Sequence, residues 1–484
     1  MNRRDVLGLT ATTAIGLALS PSSASTQTSG PGPEMTALSA YMSAARTRAL
    51  PAEAAEHAKH HLLDSLASMV SGSELPPGAA AQRYIRAHAA KGAATIAGTA
   101  LTATPVDAAL ANGVMAHADE TDDSNNTGRW HPGCAVVPAA LAVGEELGVE
   151  GAAFLRAVTL GYDVGTRVIL GMFGEDAKHS YGNSLATHSV AGTFGAAAAA
   201  ACVAGLDARQ MRWALDYTAQ QSSGTRAWQR DSDHIEKGFV FGGMPARNGA
   251  TSALLVVSGW TGVDDIFTGK DNFFATYAPQ AKPELLVQKL GERFEIAQTD
   301  IKKWTVGSPI QGPLDAIELI RGKHPFEADR VKGVTVRLAP PVAAVVDNRD
   351  IADICLQHMV AIMLLDKTVS FHAAHDTPRM RDAAALRQRA KVNLVHDGDL
   401  AQHLPVRVTV VEVELTDGTR LSERVSAVRG TPRNPMTRAE VIDKARDLTS
   451  PIIGREQSER LIEAVYAIES VPDVRKLGLL LRRA

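Results

Sequence analysis

The chain has 484 residues, of which 45% are hydrophobic, 21% charged and 5% aromatic, and its 50 basic and 53 acidic side chains leave a formal net charge of −3. That balance belongs to a folded globular chain of two or three domains; it excludes collagen-like and disordered classes and lacks the basic excess of a nucleic-acid binder. The three cysteines, Cys134, Cys202 and Cys355, lie far apart without a CxxC spacing, so neither a zinc knuckle nor a disulfide framework is expected.

Residues 1–25 open with Met-Asn-Arg-Arg-Asp-Val-Leu-Gly, pass through an apolar run from Leu9 to Leu19 and end in small residues, with a cut expected after Ala24. This is the pattern of a secretory signal, and Arg3-Arg4 before Asp5-Val6-Leu7 resembles the bacterial twin-arginine type, which exports folded proteins. The mature protein is therefore expected in the periplasm. Residues 1–34 are set aside as signal and linker, and no membrane span is expected once the signal is removed.

From 35 to 299 the texture is helical. Pro51 opens a segment in which Leu62, Leu63, Leu66, Met69 and Val70 recur at helical spacing until Gly72. Ala108–Met115, Val136–Leu147, Val190–Leu206, Met211–Gln221 and Gly249–Gly259 continue it, and the run Gly195–Ala201 predicts close helix packing. Near residue 300 the pattern changes. Val331–Leu338 alternates with period two and stops at Pro340-Pro341, and Val406–Leu415, Asp417-Gly418 and Leu421–Val428 read as a hairpin. Helical pieces at Ile351–Leu365 and Pro378–Arg389 lie between. Arg438–Leu448 and Glu456–Ile468 return to helix. The predicted architecture is mainly α with an α+β insert: a helical domain from both ends (35–299 and 436–484) carrying a smaller lid domain (300–435).

The densest chemistry is His117-Ala118-Asp119-Glu120-Thr121-Asp122-Asp123-Ser124, followed by Arg129-Trp130-His131-Pro132. Crowded carboxylates raise one another's pKa and a neighbouring histidine titrates near neutrality, an arrangement suited to general acid–base work. Three other readings are open at this point: a solvated helix end, a metal site drawing on His117, Asp122 and His131, and the acidic magnesium motif of helical terpenoid synthases. Low aromatic content and the lack of a second acidic motif weigh against the last. A second island, His179-Ser180-Tyr181 and Thr187-His188-Ser189, enters the small-residue helix, where free N–H groups favour an anion, although plain capping explains it equally. The third runs from Arg226-Ala227-Trp228-Gln229-Arg230 through Asp233-His234-Ile235-Glu236-Lys237 to the glycine-rich Gly242–Gly249, which is neither a P-loop nor a dinucleotide fingerprint. Lys302-Lys303-Trp304 sits at the junction of the two textures.

Together these islands resemble the MmgE/PrpD family over nearly the whole mature chain. The resemblance rests on Leu62-Leu63-Asp64-Ser65-Leu66, Ala111-Asn112-Gly113 with His117 through Asp123, and His131-Pro132. It continues through Gly161-Tyr162-Asp163-Val164, Gly192–Ala198, Gly205-Leu206-Asp207, Lys237 with Ala246–Gly249, Gly262 with Asp264-Asp265, and Lys302–Trp304 with Asp315-Ala316. It implies a homodimer without metal or organic cofactor, acting on small polycarboxylates by moving a proton next to a carboxylate. It also implies that Glu120, His131, Lys237 and Lys302 are catalytic and that Ser124 binds substrate; His188 is added as a further catalytic candidate, and Asp123 and His358 as further substrate-binding candidates. The family's aspartate falls on Glu120, one methylene longer and so about 1.5 Å further out. Its histidine before the small-residue helix falls on Ala186, two places before His188, and its lid tyrosine falls on His358. The expected activity is a cofactor-independent lyase, first a 2-methylcitrate-dehydratase-like hydro-lyase, with a decarboxylase or epimerase as alternative. An exported carboxylate-binding protein is the reading from another class.

Overall fold

The computed structural model describes residues 30–175 and 184–483; the Arg3-Arg4 signal pattern and the His179-Ser180-Tyr181 island lie outside them. The fold is mainly α with an α+β portion, as the periodicity predicts, and no helix among the described residues is long and apolar enough to cross a membrane.

The first long helix, Ala52–Gly72, starts just after Pro51 and buries the predicted stripe Leu62, Leu63, Leu66, Met69 and Val70. Helices Gly133–Leu147, Thr187–Val203, Ala208–Gln221 and Met244–Val257 begin three to five residues before the runs read from sequence. Capping boxes start two helices, Asp207 with Gln210 at Ala208–Gln221 and Thr437 with Glu440 at Arg438–Ile453. The small-residue run acts as expected. A Cβ on Gly161 would stand 2.8 Å from the Gly195 carbonyl oxygen, and the reverse holds at the same distance, so Gly151–Phe173 and Thr187–Val203 meet backbone to backbone.

Besides a two-stranded pairing of Ala94–Thr95 with Thr102–Ala103, the described residues form one sheet of four strands. Val331–Leu338 is central, with Val392–His396 parallel on one side and Thr409–Leu415 then Arg420–Val425 antiparallel on the other. Its register shifts between Val331 and Gly333, and this bulge is why Val331 and Val334, three apart, are both buried. The hairpin turns at Gly418, whose φ of 88° suits glycine. Strand Val392–His396 has no counterpart in the sequence reading: five residues of mixed polarity become a strand only because the Val331–Leu338 edge is there to pair with.

Two large hydrophobic clusters result among the described residues, beside a small third of Ala339, Leu400 and Val408. One gathers residues from Met35 to Ile301 with Met436 to Leu481; the other runs from Trp304 to Val425. Near the first, Lys444 on the helix Arg438–Ile453 forms a buried ion pair with Asp64 (2.5 Å) and donates to the Thr121 carbonyl at 2.8 Å. It thereby ties the C-terminal helix to the acidic loop. Lys444→Ala strands Asp64 as an unpaired buried carboxylate and is expected to lower stability by about 3–5 kcal/mol, read as an earlier urea-unfolding midpoint.

Candidate active site

The Pro105–Ala116 helix ends at His117, and the chain then turns through a buried acidic loop from His117 to Ser124. The helix crosses the π-helical turn Phe239–Gly243 with almost no separation: a Cβ on Gly242 would lie 2.0 Å from the Gly113 carbonyl oxygen. This crossing brings Phe241 onto two histidines. Its ring stacks on His117 (centroids 4.5 Å apart) and on His188 (3.9 Å), while His131 lies 4.7 Å from His117 and 5.7 Å from His188.

Each buried carboxylate of the loop has its own partners. Glu120 is bonded to the Lys237 ammonium, and Lys302 donates to the Glu120 carbonyl at 2.7 Å while standing 3.7 Å from both the Glu120 and Asp122 carboxylates. Burial pushes Glu120 up, but Lys237 and then Lys302 more than reverse this and hold it well below the usual carboxylate range. Asp122 accepts from Nδ1 of His117 and from Nδ1 of His131, both at 3.0 Å. Burial opposes its charge, and the two histidines outweigh burial, so it too is ionised. Because a carboxylate only accepts, each imidazole donates its Nδ1–H and keeps Nε2 free for a substrate. Nε2 of His117 is buried without a partner, and the His131 side chain remains 12% exposed.

The sequence-predicted residues divide accordingly. Glu120, His131, Lys237, Lys302 and His188 come together. Asp123, next to the pivotal Asp122, turns the other way and accepts from His61 (2.8 Å), Tyr162 (2.6 Å) and the Gly133 amide (2.9 Å), which makes it a brace of the loop. Ser124 pairs by its backbone with Asp300 and, with Lys302, walls a cavity of about 240 Å³ that also takes in Asn126, Arg407 and Arg433. His358 is fully buried in the helix Leu356–Asp366; neither ring nitrogen has a partner, and the charges that act on it are Arg389, Arg379 and Asp376 rather than the cluster. Ala186 caps the helix Thr187–Val203, and His188, two residues on, carries its ring to Phe241.

Sequence reasoning assigned no individual role to four residues. Asp122 and His117 stood in the acidic island as part of its acid–base cluster and as possible metal donors, yet they form the shared hydrogen-bonded pivot. Phe241 lay unremarked beside the glycine-rich run. His234, at a left-handed φ of 65°, brings its ring to 5.2 Å from His117. Among the described residues, two sets of donor atoms lie close enough to hold a metal, His117 with Glu120 and His234, and His117 with Asp122 and Cys134. In the first the Lys237 ammonium already occupies the Glu120 carboxylate, and in the second burial pushes the Cys134 thiol well up, away from the thiolate a metal prefers.

Burial, above all, lowers His117 to about 4 and His234 to about 3, the latter with help from Lys237. Both are neutral at pH 6 in the fold, whereas the unfolded chain takes up their protons near the ordinary 6.5. Stability from these groups is therefore present above about pH 6.5 and falls as the pH drops toward 4. Histidine NMR titration is expected to show these two imidazoles, together with the buried His60 and His358, still neutral at pH 5, and denaturant midpoints to decline over the same range.

Residues 36–286 match the MmgE/PrpD N-terminal domain and residues 304–469 the MmgE/PrpD C-terminal domain. Among curated relatives, the chain is 27% identical to the cis-aconitate decarboxylase-like protein oryM of Aspergillus oryzae, over 88% of this chain and 93% of the relative. It is 23% identical to the cis-aconitate decarboxylase of Aspergillus terreus over 88% and 91%, and 27% identical to that of Mus musculus over 78% of each. The chain belongs to the MmgE/PrpD family and is an enzyme of the lyase type.

Proposed function

We propose that the protein is a cofactor-independent decarboxylase of a small unsaturated polycarboxylate of the cis-aconitate type. The observation that carries this reading is the pair of ammonium groups, Lys237 and Lys302, set beside the His117–Asp122–His131 pivot. The names of the curated relatives support decarboxylation ahead of the dehydration expected from sequence.

Loss of carbon dioxide leaves an electron pair on carbon, and its cost is the negative charge that spreads into a neighbouring carboxylate. Lys237 and Lys302 bind substrate carboxylates and neutralise that charge in a site poor in water, where preorganised cations act most strongly. Nε2–H of a protonated His131 delivers the proton to the carbon, oriented through Nδ1 by Asp122, and solvent restores it. His117 and His188, stacked on Phe241, line the same wall. Ser124 orients a further carboxylate at the cavity mouth. The same groups serve the hydro-lyase alternative, in which His131 protonates a departing hydroxide of a citrate-like acid. A homodimer and export to the periplasm belong to this proposal as well, tested by sedimentation and by fractionating cells that make the full chain.

Proton NMR of the purified protein with cis-aconitate, 2-methylcitrate and hydroxy or amino dicarboxylates tests the reading. A decarboxylated product from cis-aconitate is expected; water loss from 2-methylcitrate, deuterium uptake without net change, or binding without turnover points to the other readings. On the active substrate, Lys302→Ala and His131→Gln are each expected to lower kcat at least a hundredfold with an unchanged circular-dichroism spectrum, and full activity in both overturns the assignment.

A further inference from the structure

One histidine of the lid reaches the acidic loop. His375 ends the short helix Phe371–His375; its Nδ1 lies 2.7 Å from the Phe371 carbonyl oxygen and its Nε2 lies 2.9 Å from Oδ2 of Asp119. A carbonyl oxygen only accepts, so Nδ1 carries a proton. Asp119 in turn accepts from the Thr121 amide at 2.9 Å and the Thr121 hydroxyl at 2.5 Å, as an ionised carboxylate does. With Nδ1 already donating, an ionised carboxylate oxygen 2.9 Å from Nε2 favours a proton there as well, which makes the ring an imidazolium. The contact is an ion pair rather than an aligned hydrogen bond.

Two carboxylates act on this ring, Asp119 from the helical domain and Asp353 from the lid turn Ala352–Ile354, and Asp353 in turn feels Glu120 and Lys237. The other end of the His375 helix is anchored, because the Phe371 amide donates to Asp447 on the helix Arg438–Ile453 at 2.7 Å. The lid therefore touches the helical domain at both ends of one short helix. One of those contacts is the residue that precedes Glu120.

We propose that His375 is a positioning residue: as an imidazolium paired with Asp119 it clamps the lid onto the acidic loop and so keeps Glu120 against Lys237 and Lys302. The catalytic consequence rests on the function proposed above; the clamp itself does not. Burial disfavours the charged ring, but Asp119 and then Asp353 raise His375 to about 9. A histidine raised above its unfolded value stabilises fully below about pH 6.5, and the contribution is lost as pH rises through about 9.

Histidine-selective 15N NMR of the full chain at pH 7.5 is expected to show one imidazolium, absent from His375→Gln, that titrates near pH 9. Hydrogen exchange at one pH is expected to quicken about tenfold or more in peptides covering 117–124 and 371–376 of His375→Gln and of Asp119→Asn, with strand Val331–Leu338 unchanged. A neutral His375 at pH 7.5, or wild-type exchange in both variants, overturns the clamp whether or not a substrate has been found. Where turnover is measurable, the alkaline limb of kcat near pH 9 is expected to disappear in His375→Gln, a change that mere destabilisation would not produce; an unaltered limb overturns the positioning role.

Discussion

Four carboxylates, Asp119, Glu120, Asp122 and Asp123, are buried within five residues of chain. A carboxylate out of water remains ionised only where cations or several N–H and O–H donors replace its hydration, and a missing partner costs several kcal/mol. Much of the architecture meets that requirement. The partners are His375 from the α+β portion for Asp119, Lys237 and Lys302 for Glu120, His117 and His131 for Asp122, and His61, Tyr162 and the Gly133 amide for Asp123. Lys444, from the last part of the chain, takes the Thr121 carbonyl in the middle of the loop. Helices from both ends of the sequence and the α+β portion between them each bring a charge or donor to the loop.

The same requirement sorts adjacent residues into different work. Asp122 and Asp123 are chemically identical neighbours, yet one holds two imidazoles by their Nδ1–H groups and the other is consumed in bracing the loop against the Ala52–Gly72 and Gly151–Phe173 helices. Histidines divide likewise. Burial beside Phe241 keeps His117 neutral, while two facing carboxylates keep His375 charged. A polar site of this kind holds bases, acids and cations side by side with little net charge, which is consistent with the near balance of the whole chain.

Much of this was legible in the residues. Period and punctuation located the Ala52–Gly72 helix and the Val331–Leu338 strand, whose patterns are strong and local. The resemblance carried by the polar islands singled out Glu120, His131, Lys237 and Lys302, which the fold gathers with the added candidate His188. The other added candidate, His358, lies among Arg389, Arg379 and Asp376 instead. Strand Val392–His396, the Phe241 stack and the Asp119–His375 pair were not legible, because each depends on a partner that sequence distance hides: a parallel neighbour, a glycine crossing and a residue 256 positions away, 375 less 119.

The sequence by itself determined the helical and strand periods, the family, and which residue types could carry proton transfer and anion binding, since these follow from local pattern and side-chain chemistry. Only the tertiary structure decided which of those groups share a proton and which way each imidazole points. Charge state in a buried cluster depends on distances of a few ångströms between segments far apart in the chain, and no local pattern encodes those distances.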